Sequence, residues 1–230
     1  MSHDWFAACR ALLYPPHCLV CGATADERAL CAACAAELPW NETACARCAR
    51  PLPVAAALCG PCLRRPPSFD AAWAALRYDF PLDRLLAALK FHGRLAHARI
   101  LGGWLAERLA LRRAVRPDAL VPVPLHPARL RERGYNQALE LARSVARRLD
   151  LVLAPDLCRR VRATDEQARL PAVARRRNVR GAFAVTAPPP RHVALLDDVM
   201  TTGSTVEELA RVLRRAGAAR IEVWCVARAG

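Results

Sequence analysis

Eight of the eleven cysteines fall between residues 18 and 62, grouped in four Cys-x-x-Cys pairs. The pairs are Cys18/Cys21, Cys31/Cys34, Cys45/Cys48 and Cys59/Cys62, separated by nine, ten and ten residues. Two such pairs supply the four thiolates of one tetrahedral Zn²⁺ site, so four pairs predict two structural zinc ions. The simplest arrangement joins neighbouring pairs, and a cross-braced arrangement that joins alternate pairs also fits the spacing.

Two other uses of these cysteines are less consistent with the sequence. Disulfides need an oxidising compartment, and the N-terminal residues lack the basic region and long apolar core of a secretory signal. A thioredoxin-like redox site uses a single Cys-x-x-Cys pair in a βαβ unit. No apolar run approaches the ~18 residues of a membrane span. We therefore expect a cytoplasmic protein with closed zinc sites that stabilise its fold.

A proline-rich segment and a change in charge follow the last cysteine pair. The segment LRRPPS at residues 63–68 predicts a boundary between a double zinc ribbon over residues 1–67 and a second domain over residues 68–230. The net charge of the chain is +14, and residues 69–230 carry 29 basic and 16 acidic residues, or +13 of that surplus. An anionic partner is therefore expected for the second domain.

The second domain alternates between two hydrophobic periods. Strand patterns cover residues 71–78, 119–123, 157–161, 192–196 and 221–227. Helical patterns cover residues 82–90, 95–113, 135–149 and 204–216. The alternation predicts an α/β fold in which helices flank a mainly parallel sheet.

The segment VALLDDVMTTGST, residues 193–205, carries the clearest chemical signal. A buried strand is expected to end in Asp197 and Asp198, and a hydroxyl-rich turn then leads into a helix. Ser204 and Glu207 have the spacing of a capping box at the start of that helix. Backbone N–H groups, hydroxyls and a helix N-terminus at one point suit a phosphate group. The chain contains neither a Walker A sequence nor a G-x-G-x-x-G fingerprint.

LLDDVMTTGST resembles the phosphoribosyl-pyrophosphate (PRPP) motif of type I phosphoribosyltransferases. Three more segments extend the resemblance to the ComF family, whose members combine a double zinc ribbon with a phosphoribosyltransferase domain. They are LKFHGR (89–94), VPVPLHPARLRERGYNQALELA (121–142) and RATDEQARL with RRRNVRGAF (within 162–183). Together with the cysteine pairs, these segments span nearly the whole chain.

The resemblance implies a site for PRPP and Mg²⁺. Asp197 and Asp198 are expected to be the catalytic pair that binds the ribose hydroxyls. The loop that binds the 5-phosphate consists of Thr201, Thr202, Gly203, Ser204 and Thr205. The pyrophosphate loop of the enzymes corresponds to Pro122, Val123 and Pro124.

Further residues have both a functional and a structural interpretation. Lys90 is the single lysine beside 34 arginines, which suggests a need for a compact ammonium near the pocket. Arg129 and Arg133 could neutralise a pyrophosphate or form a solvated basic face. Asn136 and Gln137 could contact substrate or cap a helix. The remaining candidates, which could form a hood over the pocket or an arginine-rich surface loop, are Gln167, Arg175 and Asn178.

Three functions remain open at this point. The family resemblance implies a role in the uptake of transforming single-stranded DNA, beside a competence helicase. A second interpretation is an active phosphoribosyltransferase that transfers the phosphoribosyl group of PRPP, or uses a related phosphosugar, with a small nitrogen acceptor. A third is a zinc-ribbon adaptor with an inactive pocket, against which the intact acidic motif counts.

Overall fold

The computed structural model describes residues 17–26, 29–91, 93–112, 115–163 and 178–230. Its centre is a four-stranded parallel sheet with the strand order β1-β6-β5-β2. These strands are β1 (Ala71–Arg77), β2 (Ala119–Pro122), β5 (His192–Met200) and β6 (Arg220–Arg228). The predicted α/β architecture is confirmed.

A small antiparallel sheet stands apart from the parallel one. It consists of β3 (Cys158–Arg160) and β4 (Phe183–Val185). The pattern at residues 157–161 predicted β3, whereas β4 was not predicted because its three residues are too few for a period to be seen. The two strands flank the basic segment of residues 162–181 on either side.

Helices cover both faces of the parallel sheet. The helices on the sheet are α3 (Leu82–Phe91), α4 (Leu95–Ala110), α6 (Gln137–Leu149) and α7 (Ser204–Arg215). The short helices α1 (Ala32–Ala36) and α2 (Gly60–Arg64) lie in the cysteine-rich part, and α5 (Pro127–Arg133) follows β2. One core lies between the sheet and α3, α4 and α6, and a second lies between the sheet and α7. Gly102 on α4 allows close packing on α6, because a Cβ there would lie 2.7 Å from the Cβ of Ser144.

Two elements differ from the sequence prediction. β5 does not end at residue 196 but continues to Met200, because β6 runs beside it in register up to the pair Met200 and Arg228. The helix predicted over residues 135–149 is α6, whereas the short helix α5 before it was not predicted. His126 caps α5, and Gly134 ends it in the left-handed conformation at φ +82°.

The second zinc ribbon begins where the chain passes β1. The backbone N–H of Asn41 donates to the carbonyl of Ala75 at 3.0 Å, and that of Arg77 donates to the carbonyl of Pro39 at 2.8 Å. Trp40 forms an antiparallel bridge with Leu76 between these two bonds. The cysteine-rich part is thus joined to the sheet by backbone hydrogen bonds. Among the described residues, no helix has the length and apolar character needed to cross a membrane.

Candidate functional site

The two acids of the PRPP-like motif lie side by side within β5. Asp198 is only 4% exposed, and Asp197 is partly exposed. The N–H of Asp198 donates to Oδ1 of Asp197, and the N–H of Val199 donates to Oδ1 of Asp198, both at 2.9 Å. Burial, together with the charge of Asp198, raises the pKa of Asp197 to about 8. Two carboxyl groups this close favour a bound cation.

Lys90 supplies a cation to this pair. Its Nζ lies 2.8 Å from Oδ2 of Asp198 and forms an ion pair with it. Burial acts to lower the pKa of Lys90, but the charges of Asp198 and Asp197 outweigh it and raise that pKa. The hydroxyl of Tyr135 donates to the carbonyl of Leu89 and so fixes the end of α3 that carries the lysine.

The phosphate-binding loop predicted at residues 201–205 lies directly after β5. Gly203 is the N-cap of α7 and has φ +77°, a conformation that L side chains rarely adopt. The hydroxyls of Thr202 and Ser204 are 2.8 Å apart and are held by the same turn. Hydroxyls and the first N–H groups of α7 therefore converge at one end of a twelve-residue helix.

The predicted capping box is wrong. Ser204 is the first residue of α7 rather than its N-cap, and no side chain caps the helix start. Glu207 instead accepts hydrogen bonds from Ser68, from its N–H at 2.9 Å and its hydroxyl at 2.7 Å. The carboxylate thereby joins α7 to the chain that leaves the second zinc ribbon.

Arg228 is a site residue that sequence reasoning missed. It lies at the end of β6, is 3% exposed, and donates from Nε to the carbonyl of Cys48 at 3.0 Å. Its Nη1 donates to the carbonyls of Met200, Thr201 and Ala229. One buried guanidinium therefore links the second zinc ribbon to the start of the loop. An arginine that follows the apolar run of residues 223–227 was the available signal.

The segment Pro122–Pro124, where the pyrophosphate loop was expected, is held by β5 and α6. The N–H of Val123 donates to the carbonyl of Leu196 at 2.9 Å. Asn136 caps α6 by accepting from the N–H of Ala138, and its amide donates to the carbonyl of Val123 at 3.1 Å. Asn136 therefore acts as a helix cap that also ties the segment in place.

The basic candidates lie together around Lys90. A cavity of about 270 Å³ is lined by Lys90, Arg129, Arg133 and Tyr135, among others. Arg129 pairs with Glu132 at 2.8 Å. Arg133 donates to Oε1 of the buried Gln137 at 2.7 Å, which gives Gln137 a structural contact.

Of the three hood candidates, Asn178 is the one that lies among the described residues. The carbonyl of Asn178 accepts a hydrogen bond from Nη2 of Arg162 at 2.9 Å, which joins the two ends of the basic segment. Gln167 and Arg175 lie outside the described residues.

The cysteines form two closed sites of four. The sets are Cys18, Cys21, Cys31 and Cys34, and Cys45, Cys48, Cys59 and Cys62, with all ligand atoms of a set within 4.8 Å of one another. Neighbouring pairs therefore combine, and the cross-braced alternative is wrong.

The sulfur separations fit zinc. Zn–S bonds of about 2.3 Å place the sulfurs of a tetrahedral site about 3.8 Å apart, against about 2.05 Å in a disulfide. The Sγ atoms are 3.7 Å apart between Cys21 and Cys31 and 3.6 Å apart between Cys48 and Cys59. The N–H of Cys59 points at Sγ of Cys45 at 3.2 Å, a contact that stabilises a thiolate. The donor sets suit two structural zinc ions.

We expect the purified protein to contain about two zinc ions per chain, because each closed site offers four thiolates. Elemental analysis together with thiol titration measures this. Protein without zinc, and with its thiols paired as disulfides, would contradict the assignment.

We also expect Lys90→Arg to weaken PRPP binding although the charge is kept. A planar guanidinium cannot replace a compact ammonium 2.8 Å from the buried Oδ2 of Asp198 without displacing one of the two groups. Calorimetric titration with PRPP and Mg²⁺ measures the effect, and Arg84→Lys, on the exposed side of the same helix, is the matched control. An unchanged affinity in Lys90→Arg would leave Lys90 with no role in binding.

Comparison with known proteins extends the local observations to most of the chain. A family model described as a double zinc ribbon domain matches residues 9–63, and one described as a phosphoribosyl transferase domain matches residues 136–230. Competence protein F of Haemophilus influenzae is 39% identical over 173 residues, covering 71% of this chain and 75% of that protein. DNA utilization protein YhgH of Escherichia coli K12 is 39% identical over 169 residues, covering 71% and 74%. Competence protein ComFC of Streptococcus pneumoniae is 26% identical over 156 residues, covering 67% of each. A double zinc ribbon followed by a phosphoribosyltransferase domain, with relatives this similar, places the chain in the ComF family.

Proposed function

We propose that the protein binds PRPP with Mg²⁺ beside β5 and takes part in handling single-stranded DNA. The observation that carries the first half is the position of Asp197 and Asp198 directly before a phosphate loop at the start of α7. β5 holds the two acids and α7 holds the end of the loop, so a ribose and its 5-phosphate can be bound in one geometry. We also propose that the zinc-ribbon unit ends at residue 67.

The side chains fit the parts of PRPP in turn. The carboxylates of Asp197 and Asp198 accept hydrogen bonds from ribose hydroxyls, and the Thr202 and Ser204 hydroxyls donate to the 5-phosphate. Lys90 faces the leaving pyrophosphate from the other side of the acids. We place the pyrophosphate next to the segment Pro122–Pro124, which is held by the hydrogen bonds of Val123 to Leu196 and Asn136.

Oxygen donors of this kind suit Mg²⁺, which prefers carboxylates together with phosphate oxygens. The raised pKa of Asp197 supports the fit, because a divalent ion relieves the repulsion between the two carboxyl groups. When bound, the ion would neutralise charge on the pyrophosphate. Lys90 balances part of the acidic charge before any ligand arrives.

The proposed role in handling single-stranded DNA rests on the names of the relatives and on the net charge of the chain. Proteins named for competence and for DNA utilization share about 39% of their residues with this chain over most of its length. Residues 112–191 carry 18 basic and 7 acidic residues, a surplus suited to a phosphate backbone. A competence helicase is the protein partner we propose. Eight thiols grouped for zinc favour a reducing compartment, so we propose a cytoplasmic location.

A working phosphoribosyltransferase is the second candidate. The acids, the loop and the basic cavity around Lys90, Arg129 and Arg133 form the set that such a reaction needs at PRPP. An enzyme of this kind releases pyrophosphate when a nitrogen nucleophile attacks the sugar. Pyrophosphate release that depends on an added nitrogen acceptor favours this candidate, whereas binding of PRPP without release favours a sensor or adaptor.

We expect single-stranded DNA to bind with an affinity that falls steeply with salt. Binding through phosphates loses about 0.7 log units of affinity per contact for each log unit of salt. Tyr135 and Phe183 are the aromatic residues between 112 and 191, so base stacking should add little and sequence preference should be weak. Fluorescence anisotropy over a salt series tests this. An affinity that does not change with salt contradicts the electrostatic account.

A further inference from the structure

A second cavity lies between the second zinc ribbon and the phosphate loop. Its volume is about 360 Å³, and its walls come from both parts of the chain. Thr202, Gly203 and Ser204 form the wall on the loop side, and α2 with the following residues 65–67 forms the wall on the ribbon side. Asp197, Asp198 and Lys90 are not among the residues that line it.

Arginines surround this cavity. Arg50, Arg64, Arg65 and Arg228 line it, and Glu207 is the acidic residue among the lining. Glu207 is already bound to Ser68. Four thiolates around one Zn²⁺ carry a net charge of −2, so the wall keeps a positive balance when that site is filled. Nε of Arg50 is buried and has no hydrogen-bond partner among the described atoms.

The rest of the lining is apolar. Phe69 and Met200 contribute to it together with Pro61, Pro66 and Pro67. An apolar surface bordered by guanidinium groups suits a flat ring attached to a phosphate, because arginine binds phosphate oxygens and the apolar side chains cover the ring. The volume lies within the range of small-ligand pockets, about 300–1,000 Å³.

We propose that this cavity binds one nucleotide, its phosphate on Arg64 and Arg65 and its base on the apolar wall. The nucleotide is either free or one unit of a single strand. The proposal that this nucleotide belongs to a single strand of DNA rests on the function proposed above. The proposal that the ligand is a nucleotide rests on the lining of the cavity alone. A single strand bound in this cavity would pass between the second zinc ribbon and the phosphate loop, the two parts of the chain that form its walls.

The test replaces two arginines that lie outside the PRPP-like motif. Arg64→Gln with Arg65→Gln is compared with Arg147→Gln with Arg215→Gln, which removes the same charge from exposed positions on α6 and α7. The probes are a fluorescein-labelled oligothymidine of about 12 nucleotides and thymidine 5′-monophosphate. Anisotropy and calorimetry are recorded in about 0.1 M salt, with zinc content and PRPP affinity measured for each variant.

We expect the cavity variant to bind the oligonucleotide about 25-fold more weakly. The estimate assumes two phosphate contacts, each worth about fivefold in 0.1 M salt, and the slope against salt should fall by about 1.4. The control pair should lose less than about threefold, since screened charges far from the strand contribute little. PRPP affinity and zinc content should be unchanged in both.

Other outcomes separate the two proposals. Equal oligonucleotide affinity in the two variants overturns the cavity as the site of the strand and leaves the proposed function intact. No oligonucleotide binding by the wild type overturns the proposed DNA role. The monophosphate then decides: weaker binding in the cavity variant supports a free nucleotide, and unchanged or absent binding overturns the cavity proposal.

Discussion

Replacing Asp197 and Asp198 together by asparagine is expected to remove most of the affinity for PRPP. Hydrogen bonds to a charged acceptor contribute about 1.5–3 kcal/mol each, so the loss should reach about 10²–10⁴-fold. Calorimetric titration of wild type and variant with PRPP and Mg²⁺ measures it. The matched control is Asp79→Asn with Asp156→Asn, which removes two exposed carboxylates elsewhere.

The same variant should remain folded and should change the response of stability to pH. The pKa of Asp197 is raised from 3.8 to about 8, so between these values the folded state holds a proton that the unfolded state has lost. This group therefore makes the wild type less stable as pH rises from about 4 to 8. Asparagine at position 197 removes that contribution, and thermal unfolding over the pH range should show a flatter profile.

Two outcomes would count against this account of the acidic pair. If the wild type and the variant bind PRPP equally, the acids do not contact the sugar. If neither binds, the pocket is inherited architecture, and the protein works through another surface. Circular dichroism distinguishes both outcomes from unfolding.

The second large effect is expected at Arg228. Arg228→Met keeps much of the side-chain volume but removes the donor to the partly buried carbonyls of Cys48 and Thr201. Hydrogen bonds to a charged group contribute about 1.5–3 kcal/mol each, and the lower value applies where water can reach the acceptor, so we expect the free energy of unfolding to fall by about 3 kcal/mol. Chemical denaturation measures this. Arg147→Met, at an exposed position of α6, is the control.

Arg228 also joins the second zinc ribbon to the loop, so its replacement should affect both metal binding and PRPP binding. We expect the variant to release zinc to a chelator faster and to bind PRPP more weakly than the Arg147 control. Loss of stability without either change would show that the arginine supports the fold alone.

The sequence predicted those features that depend on neighbouring residues. The cysteine pairs determine the two metal sites, and the acids, the hydroxyl-rich turn and the following helix are contiguous along the chain. The capping box failed because Glu207 is bound by Ser68, 139 positions earlier. The length of β5 was missed because it depends on pairing with β6 rather than on its own apolar run. Arg228 was missed because its partner Cys48 is 180 positions away.

The contact between residues 39–41 and β1 has a consequence for association between molecules. β1 is an edge strand of the parallel sheet, and six of its seven residues, AAWAALR, are uncharged and apolar. Such an edge pairs readily with another chain unless it is covered. The covering strand belongs to the segment between the two zinc sites, so loss of metal would uncover the edge. We therefore expect bound zinc to protect this edge against aggregation, and metal-depleted protein to self-associate through β1.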